Sequence, residues 1–392
     1  MTILLITPLF PDNLDTPRTR TTFAIYNFAK YWKREHHVIV VKPRKTSWRH
    51  WLSARDARHE MEGIPILSVP YFRISLFDLN IVNAMARRIR KALDRGNIDP
   101  DIVISHYHES IRFGARVACL LSRPFIAAIH KRDIENLDRG ESWRYASSFM
   151  AAGLLVFRSA SIERRFRAHF PKLVQPTFVA NSGIEEREIE TEFFCLGKAR
   201  DMAMNSGLRI VTAASLIPRR CIDITLRALA CITQRPWSFE ILGEGQERPH
   251  LEGLTTAIGL AGRVAFRGHR SRQEVLEALR GADVFVMVSH HETFGLAYLE
   301  AMAKGCIVVG ARGWGIDGIV IHGENGFLCE PGDVEGLVAV LQALSVMPAA
   351  RLEQIATASW RTIHGLTEEV AAAAYRKAIE KTIVRDGVRH EI

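Results

Sequence analysis

One stretch limits what this chain can fold into: Ser289-His290-His291-Glu292-Thr293-Phe294-Gly295-Leu296-Ala297-Tyr298-Leu299-Glu300-Ala301-Met302-Ala303-Lys304-Gly305. It follows an apolar run, Val284-Phe285-Val286-Met287-Val288, which predicts a buried strand. The pattern then turns helical and stops at Gly305, a residue suited to ending a helix. Two carboxylates therefore flank a strand-to-helix turn, Glu292 in the loop and Glu300 eight positions on, in the helix. That spacing puts Glu300 about two turns in, roughly 10–12 Å along the axis. Between them lies a helix N-terminus, where Thr293 leads into Phe294, Gly295 and Leu296 with free backbone N–H groups. Such an end attracts a phosphate or diphosphate. Gly295 lacks a Cβ, so an anion can come close to the backbone. A ligand with hydroxyl-rich groups at both ends and a diphosphate between them fits this layout, as a nucleotide-sugar does. The plain alternative is a capped surface helix with two solvated carboxylates. It leaves the buried strand and the glycine-rich sequence that follows without a reason.

The chain has 392 residues, which suggests two domains with ample core. Its 47% apolar and 24% charged residues are ordinary for a soluble globular protein. The longest apolar candidate, Phe149 to Phe157, is too short to cross a bilayer, which takes about 20 residues. Met1-Thr2-Ile3-Leu4-Leu5-Ile6-Thr7 lacks a basic n-region and reads as a first strand, not a signal peptide. Six cysteines are scattered without a C-x-x-C pair, which predicts reduced thiols in the cytoplasm and neither disulfides nor zinc. The net charge of +9 is uneven. Residues 1–200 hold 32 Lys+Arg and 21 Asp+Glu, whereas 201–392 hold 20 and 22, so the basic excess lies in the first half. Anionic lipid, an acidic acceptor and nucleic acid are the partners such charge suggests.

The first half alternates strand and helix signals. Strands are expected at 2–7, 38–42, 102–105, 125–130, 154–157 and 177–181, with helices at 21–32 and 81–95. This alternation predicts a parallel α/β sheet, whose ligands bind beyond the carboxyl ends of the strands. Residues 185–207 carry six acidic groups with weak periodicity and read as a linker with some helix. A second series follows: strands at 209–214, 238–242, 264–267 and 284–288, and helices at 221–232 and 272–279. Two helices, near 349–360 and 367–383, end the chain. The expected fold is α/β, two doubly wound Rossmann-like halves facing a cleft. In the helix 81–95, Arg87, Arg88, Arg90, Lys91 and Arg95 accompany an apolar stripe of Val82, Met85, Ile89 and Leu93. Two readings stand: a helix lying on anionic membrane, or a domain helix with a solvated face.

Glu292-x7-Glu300, with Phe294-Gly295-Leu296 inside and Glu300-Ala301-Met302-Ala303-x-Gly305 after it, resembles the signature of retaining GT-B glycosyltransferases of family 4. Gly313-Trp314-Gly315-Ile316-Asp317-Gly318-Ile319-Val320 and Gly323-Glu324-Asn325-Gly326-Phe327 resemble the family's following segments. The Gly-Ile-Asp-Gly-Ile form is similar to exopolysaccharide and teichuronic-acid enzymes. The likeness is strong over the second half and weak over the first. It implies an acceptor-binding domain over 1–185 joined by a crossover helix at 367–392, and a donor-binding domain over 208–366. It also implies that Glu300 binds ribose hydroxyls, that Glu292 contacts the donor sugar, and that the backbone of Thr293–Leu296 holds the diphosphate with Arg220.

Ala214-Ser215-Leu216-Ile217-Pro218-Arg219-Arg220-Cys221-Ile222-Asp223 is similar to the family's Gly-Arg-Leu-x-x-x-Lys-Gly-x-Asp element. Ser215 stands where the Arg is usual, Arg220 where the Lys is usual and Cys221 where the Gly is usual, with Arg219 able to replace the first cation. Gly243-Glu244-Gly245 and Gly268 resemble family turns beside the nucleotide. His130, within His130-Lys131-Arg132-Asp133, resembles the family's His-x-x-Asp region and is expected in catalysis with Glu292. Asn181-Ser182-Gly183-Ile184 resembles the turn closing the first domain. Paired glycines usual near the N-terminus are replaced by Asp15-Thr16-Pro17-Arg18-Thr19-Arg20, whose Arg18 and Arg20 are candidates for acceptor binding.

The resemblance implies a cytoplasmic hexosyltransferase. It would move sugar from a UDP- or GDP-sugar to a glycan or lipid-linked acceptor for cell-surface polysaccharide, with peripheral contact at the inner membrane face. No cofactor or metal is expected, no Asp-x-Asp metal site being apparent and enzymes of this fold usually needing none. A nucleotide-sugar epimerase of the same fold and a non-catalytic nucleotide-sugar binder are the rivals. A nucleic-acid protein would need an RRM, KH, helix-turn-helix or zinc-finger signature, and none is present.

Overall fold

Runs of Val, Ile and Leu without an alternating polar face belong to strands covered on both sides, and two such sheets carry this chain. The computed structural model describes residues 1–16, 22–47, 49, 55–72, 78–107, 109–140 and 145–390, with the backbone alone at 78, 79 and 386–390. It divides into two units: Met1–Arg158 with Ile162–Asn181 and the residues from Glu368 onward, and Ser182–Thr367 with Ser159–Ser161.

The sheet of the first unit is formed by β1 (Thr2–Ile6), β2 (His37–Lys45), β3 (Ala57–Met61), β4 (Ile64–Tyr71), β5 (Ile102–His106), β6 (Phe125–Ile129), β7 (Leu154–Phe157) and β8 (Thr177–Val179). Their order is β3-β4-β2-β1-β5-β6-β7-β8. All neighbours are parallel except β3 and β4, an antiparallel edge hairpin absent from the sequence expectation. Its two-residue turn, Glu62-Gly63, holds both residues at positive φ (49° and 74°), as a twist-matched hairpin requires. Glu-Gly carries this turn in place of the Asn-Gly or Asp-Gly that would have signalled it.

Strand β1 shows how the core divides. Leu4 and Ile6 face one layer, with Val82, Met85, Ile89 and Leu93 of the Asp78–Arg95 helix. Ile3 and Leu5 face the other, with Ile25, Phe28 and Trp32 of the Phe23–Trp32 helix. The apolar stripe of the basic helix is therefore consumed by the core and cannot enter a bilayer. Arg88 pairs with Asp56 at 2.9 Å, and Arg90 pairs with Asp94 and donates to Leu120 O at 2.8 Å. Arg87 and Lys91 are exposed.

The last helix, Glu368–His390, lies on the second of these layers. Trp32 Nε1 donates to Ala372 O at 2.9 Å. Tyr375 is fully buried, with its ring 5.3 Å from Phe28, 5.0 Å from Trp32 and 5.8 Å from Phe178.

In the second unit β9 (Leu208–Ala213), β10 (Trp237–Leu242), β11 (Val264–Gly268), β12 (Val284–Met287), β13 (Ile307–Ala311) and β14 (Phe327–Cys329) form an all-parallel sheet. The order is β11-β10-β9-β12-β13-β14. Residues 185–207, expected as a linker with some helix, are built into this unit. Their helix, Glu192–Met204, is capped by Thr191 and buries Cys195, Lys198, Ala199 and Met202. Lys198 donates from Nζ to Leu279 O at 2.9 Å and Lys304 O at 2.7 Å, so one buried cation meets carbonyls at the ends of two helices. Among the described residues no single helix is long and apolar enough to cross a membrane.

Tyr375 gives a two-sided test of the packing. Its hydroxyl is buried without a partner among the described residues. Tyr375→Phe should change stability by less than about 1 kcal/mol, because no made hydrogen bond is lost. Tyr375→Ala should cost about 3–5 kcal/mol, the range for emptying an aromatic site. Urea unfolding of both variants checks the pair.

Candidate functional site

The turn after β12 is set by one aromatic ring. Tyr298 is buried, its hydroxyl donates to Met287 O, and it meets Phe285 edge-on at 5.5 Å. The chain must cross that ring, and a Cβ on Gly295 would come within 2.6 Å of Tyr298 Cδ2. Gly295 also sits at φ 85°, in the left-handed region. The helix consequently runs Leu296–Ala303 with Gly295 as its cap. Its leading amides are those of Leu296 and Ala297, so the helix opens two positions later than expected, since Gly295 is spent on the turn. The side chain of Phe294 is buried in the core, so this residue offers only backbone. Thr293 donates its N–H to Glu292 Oε1 at 3.2 Å.

Glu292 is the centre of a charged cluster. It accepts from Arg220, and Arg219 Nη1 lies 3.8 Å from its Oε2. The loop 313–318 holds it from the other side: Gly315 N–H donates to Glu292 O at 3.1 Å. A Cβ on Gly315 would come 2.8 Å from Glu292 Cγ. Arg220 also lies 3.6 Å from Met287 Sδ, and its Nε is buried without a partner among the described residues. Ser289 Oγ, fully buried at the end of β12, is unpartnered in the same way. Both arginines come from the short turn Pro218–Arg220. Cys221 follows in the left-handed region at φ 52°, which is why a glycine suits that position. Ser215 is exposed.

Gly243 and Gly245 are required by packing. A Cβ on Gly243 would lie 1.9 Å from Ala214 O, and one on Gly245 would lie 2.2 Å from Leu216 O. Leu216 N–H donates to Glu244 O at 2.9 Å. The two glycines let this loop lie flat against the loop that carries the arginines. Gly268, at φ 72°, accepts from Gly243 N–H at 2.8 Å and extends the same seam.

Glu300 projects from the Leu296–Ala303 helix with its side chain 14% exposed. Arg272 Nη2 reaches its Oε1 at 3.0 Å. Neither Arg272 nor its partner Glu188 was expected from the sequence. The only available signal was an Arg directly after a capping Ser, which is a common surface pattern.

His130 lies in the first unit, at the end of β6. It is nearly buried and sits 3.2 Å from His106, Nε2 to Nδ1. Its backbone N–H donates to Asp133 Oδ2 at 2.7 Å, so Asp133 caps the Lys131–Asp138 helix. Burial, with the Arg158 charge adding to it, pushes His130 down to about 3. His106, fully buried, is pushed well below its usual value by burial, then by His130 and Arg158. His130 is thus a neutral hydrogen-bonding group and not an acid. Arg18 and Arg20 lie outside the described residues. Among the described residues, no group of three or more His, Cys, Asp or Glu side chains converges as metal ligands would.

Residues 207–345 match the family described as glycosyl transferases group 1, and residues 23–187 match that described as glycosyltransferase family 4. The chain is 38% identical over 104 residues to the lipopolysaccharide core biosynthesis glycosyltransferase LpsE of Rhizobium meliloti, covering 26% of this chain and 30% of that one. It is 26% identical over 409 residues to the sulfoquinovosyl transferase SQD2 of Arabidopsis thaliana, covering 95% and 76%. In fold it is similar to Anabaena Alr3699/HepE, solved in complex with UDP: TM-score 0.71, 18% identity, 97% of this chain and 100% of that one.

The neutral His130 gives a pH prediction. An unfolded histidine takes up a proton near pH 6.5, whereas His130 in the fold waits until about 3. Between those values the unfolded state binds more protons, so stability is full above the unfolded value and falls as pH drops towards the folded one. His130→Asn should make the stability–pH slope shallower by up to about one proton in this window. Urea unfolding of both proteins between about pH 5 and 7 measures it.

Proposed function

This chain belongs to the family 4-type glycosyltransferases of GT-B fold, and on that footing we propose that it is a retaining hexosyltransferase. It moves a sugar from a UDP- or GDP-sugar onto a hydroxyl of a glycan or lipid-linked acceptor, in the assembly of cell-surface polysaccharide. The observation that carries the reading is the cluster at Glu292. Two arginines converge on one carboxylate, and Arg220 keeps a buried Nε with no partner among the described residues. A diphosphate fits there, because a guanidinium has donors enough for a carboxylate and a phosphate together. The amides of Leu296 and Ala297 add a helix N-terminus. HepE, solved with UDP, supports a uridine nucleotide. LpsE, of lipopolysaccharide core biosynthesis, supports a surface glycan as product.

In the reaction the bond from C1 to the leaving diphosphate oxygen breaks as the acceptor oxygen bonds to C1 on the same face. The acceptor proton passes to an oxygen of the departing diphosphate. Arg219, Arg220 and the helix amides stabilise the charge that develops there. Glu292 faces the sugar and Glu300 takes the ribose hydroxyls. His130, held neutral by burial, gives or takes one hydrogen bond at a sugar hydroxyl and moves no proton. The first unit takes the acceptor and the second the donor. Contact with an anionic bilayer, in this reading, is through charge at Arg87 and Lys91. No cofactor or metal has a part in this scheme.

Incubation with radiolabelled UDP- and GDP-sugars and a membrane extract tests the proposal. A labelled glycan or lipid-linked product is expected; conversion of the nucleotide-sugar without acceptor would favour an epimerase instead. Thermal shift with each donor identifies the nucleotide, since binding stabilises the fold. Glu300→Ala should weaken donor binding by one to two decades, because charge-assisted hydrogen bonds contribute about 1.5–3 kcal/mol. Calorimetry with unchanged affinity would refute that role. Activity should also persist in excess EDTA, with arginines and amides neutralising the diphosphate. A loss restored by Mg²⁺ or Mn²⁺ would contradict the mechanism.

A further inference from the structure

Glu300 is not left to find its own orientation. Arg272 begins the Arg272–Gly281 helix, whose capping Ser271 exchanges hydrogen bonds with Glu274. Its guanidinium is shared between two carboxylates. Both Nη atoms reach Glu188, with Nη2 to Oε2 at 2.9 Å, and Nη2 also reaches Glu300 Oε1 at 3.0 Å. Glu188 belongs to the short turn Glu186–Glu188. Two residues on, Glu190 N–H donates to Ala303 O at 2.9 Å, and the Glu190 carboxylate pairs with Lys304 at 3.0 Å and Arg280 at 3.2 Å. The segment that aims Arg272 is therefore tied to the end of the same helix that bears Glu300. Arg272 cannot swing away from Glu300 without also giving up its two-point contact with Glu188.

We propose that Arg272, aimed by Glu188, is a positioning residue that holds the Glu300 carboxylate for a vicinal diol and so sets selectivity for an intact ribose. This rests on the reading of Glu300 as the ribose ligand. Arg272 is 38% exposed, so water screens part of its pairing, and a glutamine in its place keeps an amide donor for the two carboxylates. Its effect on recognition should therefore exceed its effect on stability. A cation at 3.0 Å also offsets the repulsion between Glu300 and an incoming diphosphate. The guanidinium places two nitrogens on the two oxygens of Glu188 while Nη2 still reaches Glu300; the single nitrogen of an ammonium cannot match that spread.

The test compares affinities for UDP and GDP with those for their 2′,3′-dideoxy counterparts by calorimetry, using the full chain. The wild type should prefer the intact nucleotide by about 10–100-fold, the strength of charge-assisted hydrogen bonds. Arg272→Gln should remove most of that preference while leaving dideoxynucleotide affinity unchanged and lowering Tm only slightly. Glu188→Gln should shift the preference the same way by less, and Arg272→Lys should not restore it. A preference kept in Arg272→Gln overturns the proposal. So does equal weakening of both nucleotides, which means a contact to phosphate or base, or a fall in both with Tm, which means a role in folding. The underlying reading fails separately: Glu300→Gln would then keep the full preference, or the wild type would show none.

Discussion

An ionised carboxylate can lie half-buried beyond the end of a sheet only when a cation lies against it. The second unit is organised around two such pairings. Glu292 meets Arg220 and Arg219, and Glu300 meets Arg272. Each pairing joins elements far apart in sequence, so loops that could otherwise drift are fixed relative to the Leu296–Ala303 helix. The glycines serve these pairings. Gly295 lets the chain cross the Tyr298 ring, Gly315 lets its loop approach Glu292, and Gly243 and Gly245 let a neighbouring loop lie against the turn bearing the arginines.

The same logic explains residues 185–207. A solvated linker has no use for a buried lysine, yet Lys198 is buried and meets carbonyls of Leu279 and Lys304. Glu190 meets Lys304 and Arg280, and Glu188 meets Arg272. The acidic residues that made the segment look solvated are the ones that dock it. In the first unit an apolar contact has the equivalent part. Tyr375, late in the chain, fills an aromatic pocket with Phe28, Trp32 and Phe178, so the final helix completes that core.

Much of the fold was legible because periodicity is a local property. The apolar runs at 2–6, 154–157 and 284–287 have no polar face, and each became a buried strand. The apolar stripe of the 78–95 helix was equally plain, but its destination was not. Burial against a sheet and burial in lipid need the same pattern, and only the packing of Val82, Met85, Ile89 and Leu93 decides between them. The β3–β4 hairpin escaped notice because its exposed first strand, Ala57–Met61, and its Glu-Gly turn carry weak signals.

The sequence alone determined the strand-to-helix turn at 289–305, the positions of Glu292 and Glu300 on it, and the basic turn at Arg219 and Arg220. All of these follow from spacing within one stretch of chain. Tertiary structure decided which cation serves which carboxylate. Arg272 is 28 residues from Glu300 and Arg220 is 72 from Glu292. It also decided that His130 is neutral, because burial beside His106 and Arg158 outweighs its intrinsic affinity for a proton. Charge pairing and desolvation depend on distance in space, and distance along the chain does not report it.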